Sequence, residues 1–202
     1  MTVLPIRVVG DSILGMATTP LPVVDGPKCL VGERGDLIAD MRETLARSGG
    51  VGLSANQIGF KERIFVYDCP EAAGRPERRA GVVINAVLTR SNVPLRMPDA
   101  NLDVEACLSV PGLKFPVVRS ERAEVRGFDE DGEPVVVAGS GVFARMLQHE
   151  TDHLDGRLYI DRLVGPHAER AEKSLIALSR SEWGRPGATW TPGVDRHPFK
   201  DG

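Results

Sequence analysis

The chain has 202 residues, 42% of them hydrophobic and 26% charged, with a formal net charge of −3. That length suits one ordinary domain with a real core and is short for two. The charge balance excludes the global basic field of a nucleic-acid binder. No run of about 18 apolar residues could span a bilayer. The N-terminal stretch MTVLPIRVVGDSILG has no basic segment followed by an apolar core, so a cytoplasmic protein is expected. Cys29, Cys69 and Cys107 are odd in number and far apart, which speaks for buried thiols or a ligand rather than a disulfide framework.

In chain order, residues 36–50 predict a helix. Leu37, Ile38, Met41 and Leu45 form its apolar stripe, and Gly49-Gly50 end it. The glycine-punctuated loop GVGLSANQIGF, 50–60, leads into a strand at 62–68. Residues 70–80 predict an exposed loop, 81–90 a strand and 91–103 another loop. EACLSVPGLKFP, 105–116, is too rich in Pro and Gly for a long helix. Residues 117–138 predict an antiparallel hairpin turning at Asp131-Gly132. A helix follows from Ser140-Gly141 to Asp155-Gly156, and another over 165–183.

The last 19 residues are a Pro/Gly-rich stretch without periodicity, though Trp183 and Trp190 suggest that parts of it pack. Strands come mostly before the main helix rather than alternating with helices. The expectation is therefore α+β: one compact domain, 1–183, with antiparallel sheets around a central helix, and a tail, 184–202.

The chemistry concentrates in QHETDH, 148–153, which holds two of the four histidines. On a helix, His149 and His153 lie about 40° apart around the axis and roughly one turn along it, so both can grip one ion. Glu150, beside the first, is placed to take a proton from water. A third ligand is missing from the helix. Zinc peptidases that use a downstream glutamate offer Glu169 or Glu172, whereas a third histidine six residues after the second is excluded by Tyr159. The remaining candidate is the thiolate of Cys107, set in a short Pro-bounded stretch just before the hairpin. A lone cysteine is ordinarily a small buried apolar residue, which is the reading kept for Cys29 and Cys69.

Three segments, GVGLSANQ (50–57), EACLS (105–109) and QHETDH (148–153), resemble the three signature motifs of peptide deformylase in the family's order. The similarity extends from VVGDSIL near the N-terminus through the DEDG hairpin to HLDGRLYIDRL. The resemblance implies a metallohydrolase that removes the N-terminal formyl group from formyl-methionine of nascent polypeptides. It implies one divalent ion per chain, held by Cys107, His149 and His153: Fe(II) physiologically, with Zn(II), Ni(II) or Co(II) able to take its place. Glu150 then matches the general acid/base, Gln57 a donor to the formyl oxygen, and the Leu108 backbone N–H a second donor.

Val51 and Gly52 are expected to pair with the substrate backbone. Val142 and Met146, on the His149 face, are candidates for a methionine pocket, and Arg145 for a contact to substrate carbonyls or a solvated charge. Glu105, Arg119 and Asp152 are candidate supports for the ligands. Ala106 and Ser54 depart from the family's usual Gly and Ala. If position 106 needs a positive φ, Ala strains it by something near 1 kcal/mol. The alternatives are a zinc endopeptidase, or a catalytically altered deformylase-like protein that binds formylated peptides or ribosomes.

Overall fold

The computed structural model describes residues 1–22, 35–94 and 96–199; Cys29 lies outside them. The elements in order are β1 (Ile6–Arg7), α1 (Gly35–Ser48), β2 (Gly52–Ser54), β3 (Ile64–Pro70), β4 (Arg78–Ser91), β5 (Val104–Ala106), β6 (Lys114–Pro116), β7 (Arg122–Phe128), β8 (Pro134–Ser140), α2 (Gly141–Leu154), α3 (Pro166–Ser179) and β9 (Thr189–Trp190). Five strands form one antiparallel sheet in the order β2-β3-β4-β7-β8, while β5-β6 and β1-β9 are separate antiparallel pairs. The α+β expectation holds, with antiparallel sheets packed around the HETDH helix. No helix among the described residues is long and apolar enough to cross a membrane.

Strand alternation explains how this sheet lies between two helices. Along β3, Ile64 and Val66 face the side on which α1 lays Leu37, Ile38, Met41 and Leu45. The intervening Phe65, Tyr67 and Cys69 face the opposite side, against Phe143, Ala144, Met146 and Leu147 of α2. A strand with both faces covered reads as an unbroken apolar run, as IFVY does here. Each such buried side chain contributes about 1.5–3 kcal/mol. A third cluster, in which Cys107, Val110, Phe115 and Val117 pack with Tyr159 and with Ala171 of α3, meets α2 through Cys107 at His153 and Tyr159 at His149. α2 is therefore enclosed on nearly all sides, with ten buried residues among its fourteen.

The C-terminal end of α2 is fixed by its surroundings. The helix stops at Gly156, whose φ of +72° is the left-handed cap conformation. A Cβ there would stand 2.7 Å from the carbonyl carbon of Met16. The last carbonyls do not go unpaired. Leu154 O accepts from the Thr18 N–H at 2.8 Å and from Arg63 Nη1 at 3.1 Å, and His153 O accepts from Asn56 Nδ2 at 2.6 Å.

The 105–116 stretch resolves into β5, a turn and β6, which present Cys107 to α2. β4 starts three residues earlier than the sequence reading, within the stretch expected as loop, because Arg78–Ala80 pair with Asp68–Pro70. The last helix is shorter than the expected 165–183 and ends at Ser179. The tail does not stand apart: β9 pairs with β1, and Trp190 is fully buried in the α1 cluster.

Candidate active site

Three ligand-type side chains converge where α2 faces the β5–β6 unit. Ligand atoms of Cys107, His149 and His153 all lie within 4.8 Å of one another. The Cys107 sulfur is 3.1 Å from His153 Nε2. Successive turns of α2 put the two imidazoles side by side, with ring centroids 5.0 Å apart. Glu169 and Glu172 stand exposed on α3, outside this group. Cys69 is a free buried thiol whose pKa burial pushes up to about 11, as suits an inert core cysteine.

A buried ionic network holds the cluster. Glu105 Oε2 accepts from His149 Nδ1 at 3.0 Å, which leaves Nε2 as that ring's remaining ligand atom. The same carboxylate takes Arg119 Nε at 2.8 Å and Arg119 Nη2 at 3.0 Å. Arg119 Nη1 reaches on to Asp152 at 2.6 Å. Glu105, Arg119 and Asp152 thus stand behind the ligands, as expected of them.

Arg145 is not a solvated charge. Its Nη1 donates to Glu105 Oε1, Asp103 O and Val117 O at 2.8, 3.1 and 2.8 Å, and its Nη2 to Asp103 Oδ1 at 3.0 Å. It lines the cleft while tying the Cys107-bearing segment to α2. Tyr159 stacks on His149 with centroids 6.1 Å apart, and its hydroxyl donates to Leu113 O.

The electrostatics favour a cation here. Burial opposes charge on His149, yet the Cys107 sulfur and the Glu105 carboxylate outweigh it and raise the pKa well above the usual imidazole range. Burial, reinforced by the charges of His149 and Arg119, pushes His153 well below that range. Burial also works to raise Glu105, but His149 and Arg119 overcome it and hold its carboxyl below the ordinary value. A thiol, an imidazole held neutral and a second imidazole backed by a carboxylate therefore converge on one point. This donor set fits a single divalent ion with a soft-ligand preference.

Glu150 occupies the side of α2 turned toward β2. Burial raises its pKa. Its Oε2 accepts from Ser54 Oγ at 2.7 Å, and Ser54 Oγ also donates to the Glu150 carbonyl at 3.1 Å. A Cβ on Gly52 would come within 2.7 Å of the Glu150 carboxyl carbon, so this position is glycine because the carboxylate fills the space. Gln57 spends its Oε1 on the Ser54 N–H at 2.8 Å, and its Nε2 points at Ser109 Oγ (3.2 Å) and Cys107 Sγ (3.7 Å). The two departures in the motifs are thereby accounted for. Ser54 engages Glu150, and Ala106 sits extended in β5 opposite Lys114, without a positive φ.

A cleft of about 330 Å³ opens onto this centre. Val51, Gly52, Gln57, Leu108, Val142, Arg145, Met146 and Glu150 all line it, so the structure brings the proposed substrate residues to the ligand cluster. His197 and Phe199 of the tail also line it; nothing in the local sequence pattern marked them.

An HExxH helix whose two imidazoles meet a cysteine sulfur from a neighbouring β-unit, beside a buried glutamate, defines the class: an α+β fold built to hold one catalytic metal ion. A sequence model of the polypeptide deformylase family matches residues 3–169. The chain belongs to that family. It is 55% identical to a peptide deformylase of Mycobacterium sp. (strain JLS) over 199 residues, 98% of this chain and 99% of the relative. It is 52% identical over 200 residues, with the same coverage of each, to that of Mycolicibacterium smegmatis. The fold is similar to the crystal structure of the Thermus thermophilus peptide deformylase, with a TM-score of 0.69, 37% identity and coverage of 87% of this chain and 94% of that one. The Ehrlichia chaffeensis peptide deformylase in complex with actinonin gives a TM-score of 0.71 at 29% identity, covering 90% of this chain and 100% of that one.

Proposed function

We propose that this protein hydrolyses the formamide C–N bond of N-formyl-methionyl peptides at the Cys107/His149/His153 centre, releasing formate and a free α-amino group. The observation that carries this reading is the convergence of those three ligand atoms within 4.8 Å, with Glu150 lining the same cleft, in a member of this family. Cys107, His149 and His153 would hold a divalent ion, which would supply a Lewis acid able to ready water for attack near neutral pH.

The chain's own residues do the rest. Glu150, steadied by Ser54, takes the proton from the attacking water and delivers it to the departing amine. As oxygen adds to the formyl carbon, negative charge grows on the formyl oxygen. The Gln57 side-chain amide and the Leu108 backbone N–H are the donors that meet it. Loss of one such donor costs about 3 kcal/mol of transition-state stabilisation. β2 lies at the edge of the five-stranded sheet; Val51 O accepts from the Asp68 N–H within that sheet at 3.1 Å, and the outer edge at Gly52 is the side offered to an extended peptide. Val142 and Met146 offer the methionine side chain an apolar surface.

The physiological ion in this reading is Fe(II), with Zn(II), Ni(II) and Co(II) as substitutes, since a thiolate with two imidazoles accepts all four. The substrates are nascent chains in the cytoplasm, met at or near the ribosome. The test is formate release from a formyl-Met peptide by protein purified under Fe(II)-protecting conditions, beside its Cys107→Ala variant. Formate from the wild type, with ion and activity both lost in the variant, is expected. A variant that kept its ion and full formate release would overturn Cys107 as a ligand, and cleavage of internal peptide bonds without formate would transfer the assignment to a zinc endopeptidase.

A further inference from the structure

The tail is an integral part of the cleft. Trp190, fully buried, donates its indole N–H to Leu108 O at 3.0 Å, on the residue next to the Cys107 ligand. Seven residues on, the His197 ring meets Trp190 edge to face at 5.3 Å, and its Nε2 lies 2.9 Å from Ser48 O at the end of α1. Its Nδ1 accepts from the Phe199 N–H at 3.1 Å. Donating from Nε2 and accepting at Nδ1 defines a single neutral tautomer, so the ring is fixed in orientation. The tail therefore grips both sides of the mouth, the Ser48–Gly52 side and the Cys107–Lys114 side. Phe199 is half-buried at that mouth, with Lys114 Nζ 5.5 Å from its ring centroid.

We propose that His197 and Phe199 form the outer wall of the cleft and contact the residues that follow the formylated methionine. Phe199 is the specificity-determining side chain, favouring apolar residues there, and His197 is the positioning residue that holds it. The inference rests on the deformylase reading above and adds to it a substrate contact from outside residues 3–169, the region that the family model matches. An extended peptide lying along Val51–Gly52 with its formyl group at the ligand cluster has its second and third residues directed outward. There the cleft is lined by an aromatic ring rather than by open solvent.

The test compares two substrates in one protein: formyl-Met amide, which has no following residue, and formyl-Met-Leu-Phe. Phe199→Ala is expected to raise KM for formyl-Met-Leu-Phe roughly fivefold with kcat unchanged, which is loss of uniform binding. It should leave formyl-Met amide unaffected, and Phe199→Leu should restore most of the difference. Because each variant is its own control, a general loss of folded protein cannot imitate this pattern. An unchanged KM for the longer peptide, or equal changes on both substrates, would overturn the wall alone. Wild-type protein that released formate from neither would overturn the deformylase reading and the wall with it.

Discussion

Replacing Glu105 by Gln strikes the support of the metal site without touching a ligand. The carboxylate accepts four N–H donors: Arg119 Nε and Arg145 Nη1 on one oxygen, His149 Nδ1 and Arg119 Nη2 on the other. An amide keeps one oxygen, so in either orientation two of those donors face an NH2 group that cannot accept. The site is buried, with Glu105 5% and Arg119 7% exposed, and water does not make good the loss. Arg119 keeps Asp152 and Arg145 keeps Asp103, which places the cost at the low end for a broken buried pair, about 3 kcal/mol. At roughly 2–4 °C per kcal/mol for a chain of this length, the melting temperature falls by about 10 °C. His149 faces either an NH2 group that cannot accept from it or a neutral amide oxygen in place of the carboxylate, so ion affinity weakens about 10- to 100-fold. Calorimetry of the zinc-loaded variant and chelator-competition titration measure the two effects separately. A variant that binds zinc as tightly as the wild type and melts at the same temperature would refute the account of this network.

Glu150→Ala should keep its ion and lose turnover by about 10²- to 10⁴-fold; loss of the ion on elemental analysis would make Glu150 structural instead. Ser54→Ala removes the 2.7 Å hydrogen bond to the Glu150 carboxylate and should lower kcat several-fold with little change in KM, whereas a rise in KM alone would contradict its part in holding Glu150. Glu105 has a folded pKa below its ordinary value of 4.5, so its stabilisation is present above that value and lost as pH falls through the folded pKa. Urea unfolding should therefore show wild-type stability dropping below about pH 4.5 more steeply than in Glu105→Gln; parallel curves would remove Glu105 from the acid sensitivity.

The parts of this site that were legible in the sequence are those whose geometry is local. HETDH spacing places two imidazoles on one helix face whatever surrounds it, and the stripe Leu37-Ile38-Met41-Leu45 marks α1 by its period. Cys107 is different. Its sulfur reaches 3.1 Å from His153 only because β5 and β6 fold the intervening chain back onto α2, and spacing alone left Glu169 and Glu172 equally open until the three motifs were taken together. Arg145 read as a rim cation because sequence does not reveal four acceptors gathered from Asp103, Glu105 and Val117. Ser54 stood out only as a departure; its bond to Glu150 spans 96 residues. The tail had no period to read, since what orders it is Trp190 in the α1 core, donating to Leu108 O, and His197 Nε2 at Ser48 O, both with partners distant in sequence.

The central claim is that one ion held by Cys107, His149 and His153 makes this chain a deformylase. It is tested most directly by adding Fe(II) anaerobically to metal-stripped protein and following formate from a formyl-Met peptide. Formate production should rise in proportion to bound ion and level off at one ion per chain, with the internal peptide bonds of the substrate intact. Formate release that ignored the ion, or cleavage at internal bonds in its place, would contradict the account.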